Sequence, residues 1–242
     1  MAFKKVLKSL SLKKPPVCTA VIVAAGTSQR CKGEDKLFYL INDKPVLAYT
    51  ISAFQNSSLI REIIVVAREE QYNDIGELCL KYGFKKVTKI MKGGPERSES
   101  VINGVFAVSR KAQLIAIHDG ARPCIEADTI EKTIMAAAKY HAAAPAVEVI
   151  PTIKRIESSI ITETIDRESL VEIQTPQVFR TELIKAALTN AVKKSITITD
   201  DCMAVEVLGF NVHLVEGSRS NIKITETDDL FIAESILSRR KK

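Results

Sequence analysis

The stretch Ala20-Val21-Ile22-Val23-Ala24-Ala25-Gly26-Thr27-Ser28-Gln29-Arg30, with Lys36 close behind it, decides how the chain folds. Its opening run is apolar and β-branched, the composition of a strand buried on both faces of a parallel sheet. Ala24, Ala25 and Gly26 leave the main chain bare where that strand ends, so a ligand can approach the backbone. Arg30 and Lys36 add two cations beside the same end. In an open α/β sheet, ligands bind at the carboxyl ends of the strands. Bare backbone with cations beside it makes a cradle for a polyphosphate. The stretch matches neither G-x-G-x-x-G nor G-x-x-x-x-G-K-[ST], so neither a dinucleotide fingerprint nor a P-loop is supported.

Outward from this strand, helical and extended patterns alternate. Helices are expected over residues 45–55, 69–82, 96–110 and 128–141, with Pro45 in the first turn of the first and Gly83 stopping the second. Strands are expected over 17–25, 62–67, 86–90, 114–118 and 144–150. This order implies parallel βαβ units and a three-layer α/β sandwich around a mostly parallel sheet. The alternation breaks between Pro151 and Pro176, where Ile153, Ile156, Ile160, Ile161 and Ile165 stand among polar residues. That pattern predicts a protruding β-hairpin arm at about 151–175. A hairpin with apolar residues on show needs a partner surface. Helices return over 181–192 and 200–208, then a last strand over 211–215 and a closing helix over 228–237.

The chain has 242 residues, 46% of them hydrophobic, enough for one large domain with a full core. No apolar run approaches the roughly 18 residues a membrane span requires. The N-terminus lacks the apolar region and cleavage site of a signal peptide. Five scattered cysteines without a C-x-x-C pair suggest neither zinc nor a disulfide framework, and point to a reducing, cytoplasmic setting. The net charge of +6 belongs to the ends: five lysines lie within residues 1–16, and the last four residues are all basic. Subtracting these nine charges leaves −3 for the body, so a basic nucleic-acid-binding face is not indicated. The domain is therefore expected at 17–238, between a basic extension (1–16) and a basic tail (239–242).

Three further groups of residues carry chemistry. Gly93-Gly94-Pro95-Glu96-Arg97-Ser98-Glu99-Ser100 puts bare backbone and hydroxyls before a helix, a pattern that taken alone reads as helix capping but whose free N–H groups can also meet a phosphate or a base edge. His118-Asp119-Gly120-Ala121-Arg122-Pro123 ends a strand with an acid able to hold a hard divalent cation beside phosphate oxygens. His118 has no Ser or Cys nucleophile motif to serve, and reads as a packing residue. Later, Arg167, Thr175, Thr199 and Lys223 each read singly as surface polar residues; taken together with the earlier loops they supply cations and hydroxyls for a second, phosphorylated substrate.

Taken together, AAGTSQR…K, GGPERSES, HDGARP, IDR, QTPQ, TDD and NIKIT resemble, in order, the motifs of the 2-C-methyl-D-erythritol 4-phosphate cytidylyltransferases. The resemblance runs from about Cys18 to Leu237. It implies a Rossmann-like nucleotidyltransferase fold, CTP and a polyol phosphate as substrates, and Mg²⁺ or another divalent cation. It also implies a homodimer formed through the hairpin arm. Ala24, Ala25, Gly26, Gly93, Gly94, Ser100 and Gly120 would contact the nucleotide. Arg30, Lys36, Arg167 and Lys223 would be the catalytic cations. Asp119, Arg122, Thr152, Arg167, Thr175, Thr199 and Lys223 would hold the substrates, with Asp119 also the metal ligand. Ribitol-5-phosphate is the alternative acceptor. The chain departs from the family pattern at Ser28, at Asp35-Lys36-Leu37, at Gly120 and at residues 151–154.

Overall fold

The computed structural model describes residues 16–26 and 35–240. The expected extension (but for Pro16), Arg30 and the last two residues of the tail lie outside them. The central element is β1 (Cys18–Val23), paired in parallel with β4 (Ile60–Ala67) on one side and β6 (Leu114–Asp119) on the other. A two-stranded pair, β2 (Leu40–Ile41) and β3 (Lys44–Pro45), precedes the first helix. β5 (Val87–Lys92) extends the sheet beyond β4. On the other side lie β7 (Ala142–Glu148), β10 (Val171–Ile173), β11 (Gln177–Arg180) and β12 (His213–Glu216). The strand order is β10-β7-β11-β6-β1-β4-β5, with β12 also on β7.

The short β2–β3 pair and two strands of the main sheet were not anticipated. β10 and β11 lie in a stretch assigned to the arm or to no element, and both run antiparallel to their neighbours. β11 separates β6 from β7, so the parallel run breaks in the middle of the sheet. β11 is short, and its Gln177 and Arg180 dilute the apolar signal of Val178 and Phe179.

Residue alternation builds the three layers. On β1, Cys18, Ala20 and Ile22 face one core while Val21 faces the other; on β4, Ile63 and Val65 oppose Ile64 and Val66. The first core is closed by α1 (Val46–Asn56), α2 (Tyr72–Tyr82), α4 (Ala127–Tyr140) and α7 (Thr227–Arg239). The second is closed by α3 (Arg97–Phe106), α5 (Thr181–Lys193) and α6 (Asp201–Val207). Helix α1 has no side-chain cap. A missing cap costs about 1 kcal/mol, whereas burying Val46, Leu47, Ile51 and Phe54 is worth about 1.5–3 kcal/mol each, so packing decides. Gly83 ends α2 with φ 66°, the left-handed conformation a β-carbon disfavours.

The hairpin, β8 (Ile153–Glu157) with β9 (Ile160–Ile165), forms a sheet of its own. Its turn residues Ser158 and Ser159 both have positive φ, as a tight hairpin turn requires. Ile156, Ile160 and Ile161 are each more than 60% exposed. The segment then returns to the main sheet at Val171.

Candidate active site

The carboxyl ends of β1, β4 and β6 form one rim. Val23 stands level with Asp119 across the sheet. The ladder continues past the strand ends: Ala24 N–H donates to the Val66 carbonyl (2.7 Å), Gly120 N–H to Val23 (2.8 Å) and Gly93 N–H to Ala67 (2.9 Å). These bonds bring the three glycine-bearing loops side by side. A β-carbon on Gly93 would lie 2.2 Å from the Ala25 β-carbon, so only glycine lets these two loops touch. Ser100 Oγ accepts from Gly94 N–H at 3.0 Å and pins that loop to the first turn of α3.

A cleft of about 440 Å³ opens above this rim. Ala24, Ala25, Gly26, Lys36, Gly94, Ser100, Asp119 and Lys223 line it, all of them residues singled out from the sequence. Arg68 and Arg97 line it as well. Lys36 Nζ donates to the Ile224 carbonyl at 2.7 Å, joining the first loop to the NIKIT loop 188 positions away. Ile224 N–H in turn donates to the Ala121 carbonyl at 2.9 Å.

Asp119 is the electrostatic centre. Its Oδ1 accepts from Arg97 Nε at 3.1 Å; its Oδ2 lies 2.9 Å from Lys223 Nζ and 3.6 Å from Arg122 Nε. Burial acts to raise its pKa, but Arg97, Lys223 and Arg122 outweigh it, and the carboxyl is held well below its usual range. Arg97 divides its guanidinium between Asp119 and the wholly buried Asp201, which takes both terminal nitrogens at 3.2 and 3.0 Å. Gln177 fixes Asp201 in turn, accepting from the N–H groups of Asp201 and Cys202 at 3.0 Å each. Arg97, Asp201 and Gln177 were missed as site residues. The available signal was their position inside GGPERSES, TDD and QTPQ.

Behind Asp119, His118 packs on the Phe54 ring with centroids 4.8 Å apart. Its Nε2 faces the Arg122 carbonyl (3.3 Å), which can only accept, so Nε2 carries the hydrogen. Nδ1 then accepts from the Thr175 hydroxyl at 2.9 Å. The same hydroxyl oxygen accepts from Asp119 N–H at 3.2 Å. Burial drives the His118 pKa down from 6.5 to about 3, so the ring is neutral. His118 therefore favours the fold fully above about pH 6.5, and this stability is lost as pH falls toward 3, where the unfolded chain binds a proton the folded chain refuses. The expected result is a Tm that falls between pH 7 and pH 5 in the wild type and falls less in His118→Asn; equal slopes would contradict it.

The structure does not bring every expected residue to the cleft. Thr175 is 4% exposed, its hydroxyl bonds His118 and the Asp119 backbone, and it places Asp119 from beneath the cleft without lining it. Arg122 is buried, with Nη1 donating to the Asn221 carbonyl at 2.7 Å. Gly120 lies beneath the rim, in the ladder with Val23. Thr152 and Arg167 are exposed in the arm segment, Arg167 reaching the Ile150 carbonyl. Thr199 lies on a neighbouring groove, its hydroxyl on Met203 Sδ. Each of these three sits on a segment whose pattern marks exposure and says nothing of where it points.

A parallel-sheet rim with bare backbone, facing a buried carboxylate among cations, defines a nucleotidyltransferase site. The family described as 2-C-methyl-D-erythritol 4-phosphate cytidylyltransferase matches residues 18–239. The chain belongs to this family, and is a cytidylyltransferase. It is 47% identical over 223 residues to the enzyme so named from Clostridium acetobutylicum, covering 91% of this chain and 97% of that one. The relative of the same name from Caldanaerobacter subterraneus is also 47% identical, over 90% of this chain and 98% of its own. The crystal structure of 4-diphosphocytidyl-2C-methyl-D-erythritol synthase from Anaerococcus prevotii superposes with a TM-score of 0.82 at 29% identity, covering 93% of this chain and 97% of that one. These relatives carry the methylerythritol name, and the ribitol alternative is not favoured. No helix among the described residues is long and apolar enough to cross a membrane.

Proposed function

We propose that the cleft transfers a cytidylyl group from CTP to 2-C-methyl-D-erythritol 4-phosphate, giving 4-diphosphocytidyl-2-C-methyl-D-erythritol and pyrophosphate. The observation that carries this reading is one buried, ionised carboxylate, Asp119, ringed by Arg97, Arg122 and Lys223 and facing the bare Ala24–Gly26 backbone. A phosphate oxygen of the acceptor attacks the α-phosphorus; the new P–O bond forms as the α–β bridging bond breaks, and pyrophosphate departs. The nucleophile is already an anion, so the site needs no general base. What it must overcome is repulsion between two polyanions and charge growing on the leaving group. Lys36 and Arg30 are assigned to the triphosphate. Lys223, the most exposed of the cations on Asp119, is assigned to the acceptor phosphate together with Arg167.

The donor set fits Mg²⁺. One hard oxygen donor is kept ionised, and no group of three or more metal-ligating side chains occurs among the described residues, so phosphates and water would complete the shell. Asp119 would hold the ion. When bound, it would neutralise charge on the triphosphate.

The exposed isoleucines of the arm support a homodimer, in which Arg167 would serve the neighbouring subunit's site. A reduced, cytoplasmic protein is the setting assigned, and the described cysteines Cys18, Cys79, Cys124 and Cys202 are free thiols. The test is the purified full chain with CTP, Mg²⁺ and either methylerythritol phosphate or ribitol 5-phosphate. Pyrophosphate should appear with the first acceptor from a protein of dimeric mass. Release with ribitol 5-phosphate alone, or from a monomer, would overturn the corresponding part.

A further inference from the structure

Arg68 was singled out by no motif, yet it lines the cleft and makes three different contacts there. It follows Ala67, the last residue of β4, and so rises from a rigid strand end. Its Nη1 donates to the Gly26 carbonyl at 2.9 Å, and its Nη2 pairs with Asp35 Oδ2 at 2.6 Å. Its Nε holds the exposed Glu70 at 2.7 Å. Gln71 completes the clamp. Its side-chain carbonyl accepts from Arg68 N–H (2.9 Å), while its amide donates to the same Asp35 oxygen (2.5 Å). Asp35 Oδ1 accepts from Leu37 N–H at 3.1 Å, which sets the backbone on either side of Lys36.

We propose that Arg68 is a positioning residue that ties Gly26 to Asp35 and thereby places Lys36 for the triphosphate. A planar fork suits this task, because its two terminal nitrogens reach two acceptors with one fixed geometry. Gly26 and Asp35 flank residues 27–34 in the sequence, and among the described residues Arg68 alone donates to both. The inference rests on the role assigned to Lys36 above.

The test compares Arg68→Ala, Lys36→Ala, the double variant and Glu70→Ala in steady-state turnover, with CTP binding measured separately by calorimetry without acceptor. Arg68→Ala should lower kcat, and with it kcat/KM for CTP, by at least about tenfold, the scale of a misplaced charged group, with a smaller effect on CTP binding. Its KM for the acceptor should stay within about twofold. On the Lys36→Ala background the same change should cost less than about threefold more, since coupled residues are not additive. Glu70→Ala should match the wild type, because its contact is a surface pair. Should Arg68→Ala fail to fold, Arg68→Gln is read by the same criteria. Normal turnover in the Arg68 variant beside a damaged Lys36→Ala overturns the clamp alone; normal turnover in Lys36→Ala overturns the clamp and the role of Lys36 together. A full additive loss in the double variant, or an equal loss in Glu70→Ala, also overturns it.

Discussion

Asp119→Asn should lower kcat by about 10³-fold and destabilise the chain by about 3 kcal/mol, which is roughly 6–12 °C in Tm at this size. Both effects have one cause. Asn keeps the shape of the side chain and removes the charge that Arg97, Arg122 and Lys223 share. Arg97 retains Asp201, so it survives the change. Arg122 does not: its Nε already has no hydrogen-bond partner, and without the carboxylate its buried charge is left with the Asn221 carbonyl and with Glu172, which lies beyond ion-pair distance. Lys223 is more exposed, and water compensates most of its loss. The stability cost therefore comes mainly from Arg122, and the catalytic cost from losing the one carboxylate that would hold the cation. Turnover measured well below the variant's Tm, as a function of Mg²⁺, separates the two. A variant within tenfold of the wild-type kcat would remove Asp119 from the chemistry.

Much of this site was legible because it lies on strand ends. β1 and β6 carry strong apolar runs, so the sequence pattern alone puts Ala24–Gly26 and Asp119 at strand ends on one rim. Parallel pairing made that inference possible: it forces the carboxyl ends of neighbouring strands to the same side. The second tier of the site was not legible. Arg97, Asp201 and Gln177 meet through a helix start, a second helix start and a short antiparallel strand. Their contacts depend on β11 being inserted between β6 and β7, which no local pattern revealed. Thr175 shows the converse problem. A hydroxyl in a motif reads as a ligand contact, yet burial assigns this one to His118 and the Asp119 backbone. Sequence marks which side chains are polar; only packing decides whether their donors are already spent.

Lys36→Ala should lower kcat by at least about 10²-fold, with the deficit persisting at saturating CTP. The ammonium lies where the first loop and the NIKIT loop meet, its Nζ on the Ile224 carbonyl. Asp229 lies close enough for Lys36 to help keep that carboxylate ionised, after the effects of burial and of the Thr225 and Glu226 N–H groups. The charge thus lines the same cleft as Asp119, where the triphosphate is assigned. A lysine that only helped to bind CTP would affect ground and transition states alike, raising KM and sparing kcat. A lysine that meets the charge released onto the β-phosphate acts mainly in the transition state, and its loss appears in kcat. Lys36→Gln, which keeps a hydrogen-bond donor of similar length, distinguishes charge from shape: it should fall close to Lys36→Ala if charge is what matters. An unchanged kcat with a raised KM for CTP would reassign Lys36 to binding alone, and the growing charge would then have to be met by other cations of the cleft.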